Sequence, residues 1–172
     1  MTAYVTSDLH LGHAGILTFV TPDGAPLRPF MNLADMHHEL MKRWNKKVNP
    51  QDRVYVLGDV AFSKPALQLM SEFNGKKVLI AGNHDRLRLR DYAAVFEDVR
   101  GAYYRDGLIF THVPVHPAGL TGHYQCNVHG HLHAHLVYTS DGEVDKRYFN
   151  ACLERNSFEP VALEKIRAYF GL

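Results

Sequence analysis

The chain has 172 residues, 46% hydrophobic and 22% charged, with a formal net charge of +1. That size and balance fit a single domain over residues 1–172 and exclude a broad basic footprint for long nucleic acid. No apolar run approaches the ~20 residues of a membrane-spanning helix, and Met1-Thr2-Ala3-Tyr4 lacks the basic-then-apolar pattern of a signal peptide, so a cytoplasmic location is expected.

Ala3 to Ser7 reads as a first strand. Thr21 to Pro29 holds three prolines and a glycine, the composition of an irregular surface loop. Leu33, Met36, Leu40, Met41, Trp44 and Val48 fall at helical spacing and predict an amphipathic helix from about 33 to 48, with His37 and His38 solvated or packing. Arg53 to Leu57 is a second strand running into Gly58-Asp59, and Pro65 to Phe73 a short helix. Lys77 to Ala81 is a third strand, ending at Gly82-Asn83-His84-Asp85, and a helix over Leu89 to Phe96 follows. Tyr103-Tyr104 and Leu108 to Thr111 flank Arg105-Asp106-Gly107, a hairpin pattern. Asn127 to His131, Leu136 to Thr139 and Arg147 to Cys152 read as further strands, with Asp141-Gly142 as a second hairpin turn. Val161 to Phe170 closes the chain as a helix with Pro160 near its first turn. Strands alternate with helices in the first half and follow one another in the second, which two packed sheets with helices outside would accommodate.

Twelve histidines are scattered without forming a tract, and polar groups recur where strands end. Asp8-Leu9-His10, Asp59, Asn83-His84-Asp85, His112 and His131-Leu132-His133 all occupy such positions, where open α/β sheets bind ligands. Imidazole suits transition metals, whereas carboxylate and carboxamide oxygens suit harder ions such as manganese. So many mixed donors exceed one tetrahedral zinc and match two metals sharing a carboxylate. Alternation in an extended segment would place Asp8 with His10, and His131 with His133, on one face. Cys126 and Cys152 suggest neither disulfide framework nor zinc knuckle and read as small buried hydrophobes. No Walker-type glycine loop is present, which argues against a kinase or nucleotide-driven motor.

In order along the chain, Asp8-Leu9-His10, Gly58-Asp59, Gly82-Asn83-His84-Asp85, His112 and Gly130-His131-Leu132-His133 resemble the sequence blocks of the calcineurin-like metallophosphoesterase family. The small bacterial and phage members are most similar, since their first block continues as here with Gly12-His13. The resemblance implies a four-layer α/β/β/α sandwich of two mixed β-sheets flanked by helices, with a dinuclear metal centre. It assigns Asp8, His10 and His133 to one ion, Asp59 to a bridge, and Asn83, His112 and His131 to the second ion. Manganese is the expected metal, with iron, zinc, nickel and magnesium as alternatives. The implied reaction is attack on phosphorus by a metal-bridging hydroxide. His84 would protonate the leaving alkoxide, and Asp85 would stand behind His84 to orient it. His13 is either a loop histidine or a contact to substrate phosphate. Arg86 and Arg88 are either an exposed basic turn or a second phosphate contact. His116 lies at a pocket rim or in an exposed loop, and alternation places His135 on the face of His131 and His133. The favoured substrate is a small or nucleotide-like phosphodiester. The alternatives are phosphomonoester or phosphoprotein hydrolysis, and a non-catalytic metal-binding scaffold, which retention of His84 disfavours.

Overall fold

Val54-Tyr55-Val56 and Val78-Leu79-Ile80 are apolar at every position, as strands buried on both faces require. The computed structural model describes residues 1–172 and places them at the centre of a five-stranded mixed sheet. Its strands are β1 (Ala3–Thr6), β2 (Arg53–Val56), β3 (Lys76–Ile80), β4 (Asp98–Arg100) and, late in the chain, β9 (Val161–Ala162). The order is β4-β3-β2-β1-β9, parallel except for the antiparallel pairing of β9 with β1. A second mixed sheet has the order β5-β6-β7-β8, formed by Tyr103–Arg105, Leu108–Phe110, Cys126–His129 and Tyr148–Asn150.

Alternation sorts the central strands between two cores. Val54, Val56 and Leu79 face the helical side, where α1 (Leu33–Lys47) supplies Met36, Leu40 and Trp44 and α2 (Lys64–Gln68) supplies Ala66 and Leu67. Tyr55, Val78 and Ile80 face the other way, against Leu108, Phe110 and Val128 of the second sheet. Helix α1 starts where the Asn32 side chain accepts the Asp35 N–H (2.9 Å) and carries Lys46 and Lys47 in its last turn, favourable at both ends of the helix dipole. The short α3 (Leu89–Tyr92) links β3 to β4, and α4 (Leu163–Phe170) sends Leu163 and Ile166 into the inter-sheet core. Beyond the second sheet, Ile109, Leu120 and Tyr148 form a small cluster with Val115, Tyr124 and Val137. No helix is long and apolar enough to cross a membrane.

Several expected boundaries move. Residues 136–139 form no strand; only an isolated bridge, Tyr138 to Val144, spans the Asp141-Gly142 turn. Val161 and Ala162 leave the predicted last helix because the edge of β1 captures them, pairing Val5 with Val161 and Tyr4 with Ala162. Pro160 therefore precedes a strand, not a helix. The β5–β6 hairpin does form. Asp106 and Gly107 take φ of 50° and 83°, the positive pair that a tight turn matched to strand twist needs.

Trp44 is 1% exposed, packs edge-on against Phe73 and donates from Nε1 to the Asn74 carbonyl (2.8 Å). Trp44→Ala should lower stability by about 3–5 kcal/mol in urea unfolding followed by circular dichroism. Trp44→Phe should cost less, because the ring volume is largely kept and only the bond to Asn74 is lost.

Candidate metal centre

The chain leaves its strands in a conformation most residues avoid. Asp8, His10, Asp59, His131 and His133 all take positive φ, between 49° and 69°. Left-handed backbone at a residue other than glycine costs about 1–2 kcal/mol. Such outliers gather where surrounding structure holds a functional geometry. The backbone at Asp8-Leu9-His10 and at His131-Leu132-His133 is thus turned, not extended. The paired side chains share a site for that reason and not through strand alternation.

Two groups of three result. Asp8, His10 and His133 bring ligand atoms within 4.8 Å of one another, and so do Asp59, His112 and His131. Asp59 lies between the groups, its Oδ2 3.4 Å from His112 Nε2 and 3.7 Å from His10 Nε2. Asn83 Oδ1 is 2.8 Å from His112 Nε2. Burial opposes ionisation of Asp8, but the surrounding imidazoles His10, His133 and His112 and the Ser7 hydroxyl outweigh it, holding the carboxyl well below its usual range. Burial likewise lowers His10 and His131. In His112 and His133 it is overcome, by Asp59 and Asp8 in the first and by Glu154 and Asp8 in the second, and both bind a proton more tightly than usual.

The donor atoms suit a cation. Asp8 Oδ2 accepts from Ser7 Oγ (2.5 Å), the His131 N–H (2.9 Å) and Cys152 Sγ (3.2 Å). Asp8 Oδ1 and His10 Nε2, 3.5 Å apart, are buried with no hydrogen-bond partner. A buried polar atom left unpaired is costly, and a bound ion relieves that cost. In the other group His112 Nδ1–H donates to the Leu57 carbonyl (2.7 Å), leaving Nε2 facing two oxygen acceptors, Asn83 Oδ1 and Asp59 Oδ2. Such a convergence of acceptors requires a proton or a metal cation.

Of the other expected residues, His84 sits beside the centre, its ring 6.0 Å from that of His10, and its backbone N–H donates to Asp59 Oδ1 (2.9 Å). Asp85 does not stand behind it. Its carboxylate accepts the N–H groups of Asp59 (2.8 Å), Gly82 (2.8 Å) and Val60 (3.0 Å) and lies 3.5 Å from Tyr92 Oη, so it ties the ends of β2 and β3 together. His13 Nδ1 lies 3.3 Å from His10 Nδ1, at the rim. Arg86 is exposed and donates from Nε to the Asn83 carbonyl (3.0 Å). His116 and His135 are exposed, and His129 is buried.

Several contributors gave no sequence signal. Arg28 lies in the segment expected to be a surface loop, yet it is 1% exposed and bonded to Glu154. Phe62 stacks on His13 (centroids 4.2 Å apart) and on His84 (5.0 Å). His37, on α1, accepts the Gly12 N–H (3.0 Å) and so fixes the loop that carries His13. Cys152, read as a buried hydrophobe, also donates to Asp8.

A profile of the family described as calcineurin-like phosphoesterases matches residues 1–163. The chain belongs to that family. A calcineurin-like phosphoesterase is a metal-dependent phosphoester hydrolase, in keeping with the two groups of ligand-forming residues. This one is 32% identical over 168 residues to the uncharacterized protein MJ1445 of Methanocaldococcus jannaschii, spanning 95% of this chain and 88% of that one. It is 33% identical over 119 residues to the Gene 66 protein of Mycobacterium phage L5, spanning 64% of this chain and 50% of the phage protein. The crystal structure of the protein of unknown function AQ665 from Aquifex aeolicus shares the fold, with a TM-score of 0.68, 19% identity, and coverage of 97% of this chain and 98% of that one.

In this calcineurin-like phosphoesterase Gly130 is the tightest point. A Cβ there would overlap Ser7 Oγ and lie 2.5 Å from Asp8 Oδ2. Gly130→Ala should therefore destabilise by about 1–3 kcal/mol in thermal unfolding. Gly119→Ala, with no atom within 4 Å of the new Cβ, should stay within about 0.5 kcal/mol.

Proposed function

We propose that the protein is a phosphodiesterase acting on small or nucleotide-like esters, with Asp8, His10 and His133 holding one divalent ion, Asn83, His112 and His131 a second, and Asp59 bridging them. The observation that carries this reading is Asp59 Oδ2, within 3.7 Å of one imidazole from each group, with the unpartnered Asp8 Oδ1 and His10 Nε2 beside it. Manganese suits the mixed nitrogen and oxygen donors. Two such ions, when bound, supply the nucleophile and the Lewis acidity that draws charge from the phosphoryl oxygens.

The protein's own groups do the rest. The His84 imidazole makes no hydrogen bond to the protein and leans on Phe62, so its ring nitrogens are available to donate to a leaving oxygen. His13 extends the polar rim toward the incoming phosphate. The exposed rings of Phe19 and Phe62 flank His13 and give a planar ester group an apolar surface, which supports a nucleotide-like substrate.

Metal analysis at saturation should give two ions per chain, and Asp59→Asn should weaken both together; loss of only one would remove Asp59 as the bridge. With added manganese, bis-p-nitrophenyl phosphate should turn over faster than p-nitrophenyl phosphate, and a chelator should abolish both rates. The reverse preference would make the protein a phosphomonoesterase. Undiminished turnover at confirmed zero metal would overturn the whole reading.

His84→Ala should keep both ions yet lose about 10²–10⁴-fold in rate on esters with poor leaving groups. The loss should shrink for p-nitrophenolate, which departs without a proton. Equal slowing of both ester types would instead make His84 a phosphate-binding group.

A further inference from the structure

Arg28 and Glu154 stand 126 residues apart in sequence and meet in the interior. The Glu154 side chain is 3% exposed; its Oε1 accepts from Arg28 Nε (2.8 Å) and His133 Nδ1 (3.0 Å) and lies 2.8 Å from Arg28 Nη2 in the same ion pair. Its other oxygen, Oε2, is buried with no partner, so all its hydrogen bonding falls on the atom shared with His133. Arg28 has further work at the same corner. Nη1 donates to the Leu9 carbonyl (2.8 Å) and Nη2 to the Asp8 carbonyl, both within the left-handed turn that carries Asp8 and His10.

We propose that Arg28 and Glu154 are positioning residues that set the ion affinity of the Asp8–His10–His133 group and leave the other group unaffected. Glu154 accepts the Nδ1 proton of His133 and so fixes the tautomer whose bare Nε2 faces Asp8 Oδ1, 3.8 Å away. Arg28 holds Glu154 in place and clamps the turn from behind, so all three ligands of this group are braced from one buried ion pair. The second group has no counterpart. His112 is oriented by a backbone carbonyl, and the His131 imidazole makes no hydrogen bond to the protein.

This inference rests on the metal-centre reading, and its test separates the two. In wild-type protein held in chelator, at a pH high enough to leave His133 neutral, nitrogen-15 NMR of the imidazoles should show His133 as a single tautomer protonated at Nδ1. Glu154→Leu should shift it toward the Nε2-protonated form that free imidazole side chains favour. Glu154→Gln, which keeps an acceptor, should fall between. Manganese titration should then show one of two ions weakened about 10–100-fold in Glu154→Leu, less in Glu154→Gln, and the other ion unchanged. Arg28→Met should weaken the same ion, with thermal unfolding in chelator confirming the fold. An unchanged His133 tautomer, or both ions weakened equally, would overturn the proposal. Absence of any manganese binding in wild type would overturn the metal-centre reading, while the tautomer measurement would still decide whether Glu154 orients His133.

Discussion

The Asp8 carboxylate is the polar bolt between the two sheets. It is fully buried, and an ion so placed costs several kcal/mol unless its surroundings compensate. The compensation comes from three separate segments. Ser7 donates from the end of β1, His131 from the backbone after β7, and Cys152 from the chain after β8. Elsewhere the sheets meet mainly through apolar packing, which has no direction, with Arg105 Nη1 donating to Tyr55 Oη (3.1 Å) at the far edge. At this end the contact is directional, and Gly130 has no side chain because Ser7 and Asp8 occupy that space. The same geometry that satisfies Oδ2 leaves Oδ1 bare beside His10.

Holding five non-glycine residues in left-handed backbone needs support from outside each residue. Parallel pairing continues past the formal ends of β1 and β2, with Asp8 N–H donating to Gly58 O (3.1 Å), His10 N–H to Asp59 O (3.0 Å) and Leu11 N–H to Val60 O (2.9 Å). Asp85 collects the N–H groups of Asp59, Val60 and Gly82, so one carboxylate fixes the ends of two strands. Burial tends to raise its pKa and these donors oppose the rise. The site is therefore held through its backbone hydrogen bonds, while Asp8 Oδ1 and His10 Nε2 are left without partners.

How far the site was legible follows from the range of each interaction. Asp8, His10, Asp59, Asn83, His112, His131 and His133 could be read because each lies within a few residues of a strand end, and strand ends show in local pattern. The reason they converge could not be read that way. Alternation suggested a shared face, whereas φ values of 49° to 69° at Asp8, His10, His131 and His133 turn the chain instead. Asp85 follows His84 in sequence, but adjacency says nothing of the Asp59 and Val60 N–H groups that its carboxylate accepts from another strand. Arg28 in a proline-rich stretch looked like surface, and only its distant partner Glu154 makes burial tolerable. Two-residue β9 is equally invisible alone, since its pairing with β1 supplies the preference its sequence lacks.

Charge accounting shows what the ester must balance. Arg28 and Glu154 cancel within their own pair. The residues assigned to the ions contribute two carboxylates, Asp8 and Asp59, and otherwise neutral imidazole and amide donors. Two divalent ions bring four positive charges, so the loaded centre would keep a surplus of about two, felt strongly in a site walled by protein. A phosphodiester brings one negative charge and the nucleophile a second, which together match that surplus. A phosphomonoester dianion with the same nucleophile would exceed it by one, the charge that His84 would add in its proton-donating form. No lysine or arginine side chain bonds any of the assigned ligand side chains, and Arg28, the nearest buried cation, is already committed to Glu154 and to backbone carbonyls. His84 is then the one group near the centre whose proton decides the match, so the ester that balances the site is set by His84 together with the ions and not by the ions alone.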